Sequence, residues 1–140
     1  MRRGYAGVGL AVAMVTAGVL GAASPAAAKA NTVAIGTVRL DQRHTPVVRV
    51  DVGYSCDQGS GVSLRSTATA VDRAHGDRRA TAASGAQGGL ICDADVHVKR
   101  LTLRPKPGVR FFRGETVKVT AEIVAPDGSV YADAERLTTL

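Results

Sequence analysis

Val48-Arg49-Val50-Asp51-Val52-Gly53-Tyr54-Ser55-Cys56 is the stretch that decides the fold. Every second residue is apolar: Val48, Val50, Val52, Tyr54 and Cys56 share one face. Arg49, Asp51, Gly53 and Ser55 take the other. Side chains alternate across an extended strand, so this pattern specifies a strand with one buried face. Two further runs repeat it. Val117, Val119, Ala121 and Ile123 alternate with Lys118, Thr120 and Glu122. Leu90, Cys92, Ala94, Val96 and Val98 alternate with Ile91, Asp93, Asp95, His97 and Lys99, which predicts a third strand with its apolar face inward.

Working outward, weaker strands fill the gaps. Residues 32–40 carry Val33 and Ile35, then Val38 and Leu40. The phase changes at Gly36, which predicts a bulge. Residues 61–71 form a lightly filled alternating run, residues 78–84 a short edge strand, and residues 129–139 a closing strand. The phase also changes after Lys99, where Leu101 and Leu103 take over. Turn residues separate the runs: Arg43 to Pro46, Asp57 to Gly61, His75 to Asp77, Gly85 to Gly89, Pro105 to Gly108 and Ala125 to Gly128. No segment has helical periodicity. About seven short strands at this spacing predict an all-β fold, a single antiparallel immunoglobulin-like β-sandwich with one disulfide. No Trp is present to pack on that disulfide.

The disulfide would join Cys56 and Cys92, the only two cysteines. Both fall in phase with apolar strand faces, as a buried cross-strand or cross-sheet bridge requires. The compartment follows from the start of the chain. Arg2 and Arg3 precede an uncharged apolar run over residues 5–23, and Ala26-Ala27-Ala28 supplies small residues for cleavage. Residues 1–28 therefore read as a secretory signal peptide and residues 29–140 as the β-sandwich domain, with cleavage after Ala30 as the alternative. A secreted protein meets an oxidising environment, where an even pair of cysteines forms a disulfide. No membrane span is expected in the mature protein. Removing Arg2 and Arg3 from 18 basic residues leaves 16 against 12 acidic, a net charge of +4. That excess suits an anionic cell-wall or extracellular partner and is too small to argue for nucleic acid.

The layout resembles a family of small secreted actinobacterial β-sandwich proteins of unknown function. The likeness rests on Gly36-Thr37-Val38, Val52-Gly53-Tyr54-Ser55-Cys56, Cys92-Asp93, Gly114-Glu115-Thr116-Val117-Lys118-Val119 and the closing strand. The resemblance implies a fold and a compartment and no activity. A fainter likeness, to secreted antitumour-antibiotic carrier proteins, implies a ligand cleft. Those proteins carry two disulfides where this chain can form one, so their pocket is not carried over.

Few residues suggest chemistry. Asp93, Asp95 and His97 stand two apart, about 7 Å between neighbours on one strand face, so two of them could converge on a metal ion. A solvated polar face opposite the buried one accounts for them better, and no metal or other cofactor is assigned. His75, inside Asp72 to Arg79, and His44 read as turn residues. No Gly-x-Ser-x-Gly elbow and no Cys–His pair supplies a nucleophile, so no enzyme is expected. The strongest candidate contact surface is Arg104 to Gly114. Arg104, Lys106, Arg110 and Arg113 surround Phe111 and Phe112, the only phenylalanines. Adjacent residues on a strand point to opposite faces, so one Phe is free to face a partner. The reading is a secreted, non-enzymatic binding module. The alternatives are a carrier of a small apolar ligand in an inter-sheet cleft and a secreted protease inhibitor.

Overall fold

The computed structural model describes residues 31–43, 46–71 and 82–140. The proposed signal peptide, His44 and the segment containing His75 lie outside them. Seven strands form in chain order: β1 (Thr32–Asp41), β2 (Val47–Ser55), β3 (Ser63–Ala70), β4 (Ala82–Gln87), β5 (His97–Pro105), β6 (Thr116–Val124) and β7 (Val130–Thr139). All neighbouring pairs are antiparallel, in the order β1-β2-β5-β4-β3-β6-β7. The sheet curls until it is nearly a barrel. Its two outer strands meet, and Arg136 Nη1 on β7 donates to the Gly36 carbonyl on β1 at 2.8 Å.

The alternation in β2 and β6 does what the sequence pattern requires. Val48, Val50, Val52 and Tyr54 are buried, as are Val117, Val119, Ala121 and Ile123. Ladder pairs carry the apolar face across the sheet: Val48 opposite Leu103, Val50 opposite Leu101, Leu64 opposite Ile123 and Ala68 opposite Val119. Each large apolar side chain buried here contributes roughly 1.5–3 kcal/mol. Ser66 is also buried, and its hydroxyl donates to the Thr120 carbonyl at 2.7 Å, so it leaves no unpaired polar group. The bulge expected at Gly36 is present, as a register shift between Ile35 and Val38.

Three sequence expectations need correction. Residues 88–96 form no strand; β5 starts at His97. Within β5 the inward phase is Leu101 and Leu103, with His97 and Lys99 half-buried on the same side, opposite Tyr54 and Val52. Val96 and Val98 are 75% and 69% exposed. The alternation misled because His97 packs its ring against Tyr54, with centroids 5.8 Å apart, and so takes an inward place that apolarity would assign to a valine.

The disulfide forms between Cys56 and Cys92, with Cα atoms 4.7 Å apart. It does not bridge two strands: it ties the end of β2 to the β4–β5 connection, with Cys56 buried and Cys92 half-buried. Finally, β4 is not an edge strand. It pairs with β3 over six positions and touches β5 through two, Ala83–Pro105 and Ser84–Arg104. At that crossing Gly85 leaves no room for a side chain. A Cβ there would lie 2.6 Å from the Thr102 carbonyl oxygen.

Candidate functional site

At the end of the sheet where β1 turns into β2, a cleft of about 740 Å³ is lined by Arg39, Leu40, Asp41, Gln42, Arg43, Arg49 and Arg113. Three parts of the chain supply its four arginines. Arg39 and Arg49 face each other directly across the β1–β2 ladder. Arg43 follows the end of β1, and Arg113 comes from the connection between β5 and β6. Asp41 is the single acid. Its Oδ2 accepts from Arg49 Nε at 2.9 Å and its Oδ1 from the Arg43 backbone N–H at 3.2 Å. That backbone N–H, reinforced by the charge and hydrogen bond of Arg49, holds the Asp41 carboxyl below its ordinary range.

The segment that delivers Arg113 is tied down on both sides. Gly114 takes a left-handed conformation (φ +84°) and donates to the Leu140 carbonyl at 2.6 Å. Leu140 N–H donates in turn to the Glu115 carbonyl at 2.9 Å. The Glu115 side chain is buried, and its Oε2 accepts from the Phe112 backbone N–H at 3.1 Å. Phe111 is wholly buried in the core, which anchors the segment from beneath.

A smaller cleft of about 320 Å³ shares Gln42 with the first and is otherwise lined by Pro46, Arg110, Phe111 and Phe112. The Arg110 guanidinium lies over the half-buried Phe112 ring, 5.0 Å from its centroid, a cation–π arrangement.

The structure divides the six residues singled out in Arg104 to Arg113. Arg113 joins the arginine cleft, while Arg110 and Phe112 wall the smaller one. Phe111 is a wholly buried core residue that backs the smaller cleft. Arg104 and Lys106 are exposed but line neither cleft. Arg39, Arg43 and Arg49 were missed by sequence reasoning. The signal was available: Arg39 and Arg49 lie on the polar faces of two strands flanking one turn, and antiparallel pairing brings such residues together.

The Asp93, Asp95 and His97 group is only partly assembled. His97 Nε2 lies 2.8 Å from Asp93 Oδ1, which also accepts from the Asp95 backbone N–H at 3.0 Å. The His97 hydrogen bond, more than any other influence, holds the Asp93 carboxyl below its ordinary range. Among the described residues no three His, Cys, Asp or Glu side chains gather to hold a metal ion. Nor is any helix there long and apolar enough to cross a membrane. Comparison with protein-family models, curated proteins and solved structures finds no match to this chain.

Proposed function

We propose that this protein is a secreted, non-enzymatic binding module that meets an anionic extracellular partner through the arginine cleft. The single observation that carries the reading is the lining of that cleft: four arginines against one carboxylate. Guanidinium groups stay charged at any physiological pH and match the oxygens of carboxylate, sulfate and phosphate groups. Charges focused in a cleft attract a polyanion more strongly than the same charges scattered over a surface. Secretion is supported by the charged, apolar and small-residue order of residues 1–28 and agrees with the disulfide. An immunoglobulin-like sandwich is supported by the way the sheet divides. Among the described residues, β1-β2-β5 and β4-β3-β6-β7 are joined through only two ladder positions. The kinship with small secreted actinobacterial sandwich proteins belongs to this reading, as does the absence of catalysis.

The test is retention on dextran sulfate at low salt. Wild type is retained and elutes as salt rises, because exposed charges are screened over about 10 Å at 0.1 M. The Arg39→Ser, Arg113→Ser double variant elutes early. Unchanged retention of a folded double variant would remove the cleft from the interaction.

A further inference from the structure

Resting on that reading, we infer that the arginine cleft is a directional site for one phosphate or sulfate monoester carried on a sugar ring. Asp41 is its positioning residue, and the Pro46–Phe112 wall receives the ring.

The arrangement of the arginines is costly to the fold alone. Like charges placed directly opposite on a ladder repel, and Arg39 and Arg49 are so placed. Asp41 pairs with Arg49 and the Asp51 carboxylate feels the charge of Arg39, while Arg113 has no ion pair to an acid among the described residues. A ligand oxyanion relieves that repulsion. The contact from Asp41 is also specific. It engages Arg49 through Nε, which fixes the guanidinium plane and leaves both terminal nitrogens to donate. The same carboxylate pins the Arg43 backbone. One side chain thus holds the Arg49 guanidinium and the Arg43 backbone. A lining of four arginines and one carboxylate suits a compact tetrahedral oxyanion, with oxygens in several directions, better than a single planar carboxylate.

The neighbouring cleft says what carries the anion. Gln42 lines both spaces, so a group seated beside Pro46 and Phe112 adjoins the arginines. Proline and an aromatic ring offer an apolar wall for the C–H face of a sugar, and the Gln42 amide suits its hydroxyls. Arg110 lies over one face of Phe112 and adds a further cation beside that wall.

The purified protein is titrated calorimetrically with glucose 6-phosphate, glucose 6-sulfate, inorganic phosphate, inorganic sulfate, glucose and poly-glutamate. A sugar ester is expected to bind at least tenfold tighter than its free anion, and glucose not at all. The tighter of the two esters identifies the anion; equal binding assigns the shared chemistry. Asp41→Asn removes a negative charge and so raises the net positive charge, and diffuse attraction would strengthen. A built site loses its orientation, and ester binding should weaken at least fivefold. Arg49→Lys, which keeps the charge, should do the same and decides the matter if the first variant does not fold. Phe112→Ala should abolish the advantage of the ester while sparing the free anion.

Tighter ester binding by folded Asp41→Asn overturns the proposal, as does an undiminished ester advantage in Phe112→Ala. Poly-glutamate binding more tightly than either ester reassigns the cleft to an acidic peptide. Retention on dextran sulfate without ester binding overturns this inference and leaves the broader module reading intact.

Discussion

Replacing Gly85 with alanine should destabilise the domain by about 1–2.5 kcal/mol. The added Cβ would sit 2.6 Å from the Thr102 carbonyl oxygen and 3.1 Å from Leu103 Cδ2. Ordinary contact begins near 3.4 Å, and the closer neighbour is backbone, so it cannot rotate away. β4 and β5 must part by several tenths of an ångström. Overpacking of this kind costs about 1–3 kcal/mol. Alanine returns about 0.4–1 kcal/mol by restricting the unfolded chain. The two ladder positions beside Gly85 are the only ones joining β4 to β5 among the described residues, so the strain has little pairing to lean on. Losing one of those hydrogen bonds would add about 1 kcal/mol. Urea denaturation measures the change, with Gly88→Ala as the control. Nothing lies within 4 Å of a Cβ at Gly88, so that variant should match or slightly exceed wild type. If Gly85→Ala stays within about 0.5 kcal/mol of wild type, or both variants fall equally, the close approach of β4 to β5 is wrong.

Three other outcomes follow from the packing and the charges. Leu101→Ala should cost about 2–5 kcal/mol by leaving a cavity, whereas Val98→Ala should cost under about 0.5 kcal/mol; equal losses in denaturation would restore the inward Val98 phase. Opening Cys56–Cys92 by a double serine replacement should cost about 3–4 kcal/mol through the freedom regained by the unfolded chain, read from the same curves. Asp41, Asp51, Asp93 and Asp127 are all held below their ordinary range, chiefly by the Arg43 backbone, the Arg100 side chain, His97 and the Ser129 hydroxyl respectively. A carboxyl lowered in the fold stabilises it above the unfolded value, near 3.9, and loses that contribution as the pH falls through its folded value. Carboxyl carbon NMR should place all four transitions below that of an unstructured aspartate, with stability declining over the same acidic window. Transitions at or above that reference would contradict the hydrogen bonds.

The central strands were legible because both of their neighbours are strands and one face is sealed. β2 and β6 therefore repeat the binary pattern through their middles, and it lapses only at their ends, where Val47, Ser55 and Val124 are buried as well. The bulge at Gly36 was legible because two phases of apolar residues cannot share a face without an extra residue between them. The segment from Leu90 to Val98 was not. Its alternation joins a loop fixed by a disulfide to the first residues of a strand. The Tyr54–His97 contact reverses the inward assignment there. The candidate site was half legible. Arg110, Phe112 and Arg113 are close in sequence, and charge clustering reveals them. Arg39 and Arg49 are ten residues apart, and only the pairing register makes them neighbours. Arg104 and Lys106 belong to the same charge cluster yet line neither cleft, because Pro105 ends β5 and the chain turns through Gly108 before Arg110.

Because β1 and β7 turn toward each other, neither offers a long open flank for another molecule to extend. Unpaired strand edges are where β-proteins join into fibrils and swapped assemblies. Here the Arg136 guanidinium occupies the Gly36 carbonyl at the bulge, where the regular spacing of free acceptors is already interrupted. Asp133 and Glu135 add charge along β7. Arg136 thus reaches across from one outer strand to the other at the point where the β1 edge is already irregular.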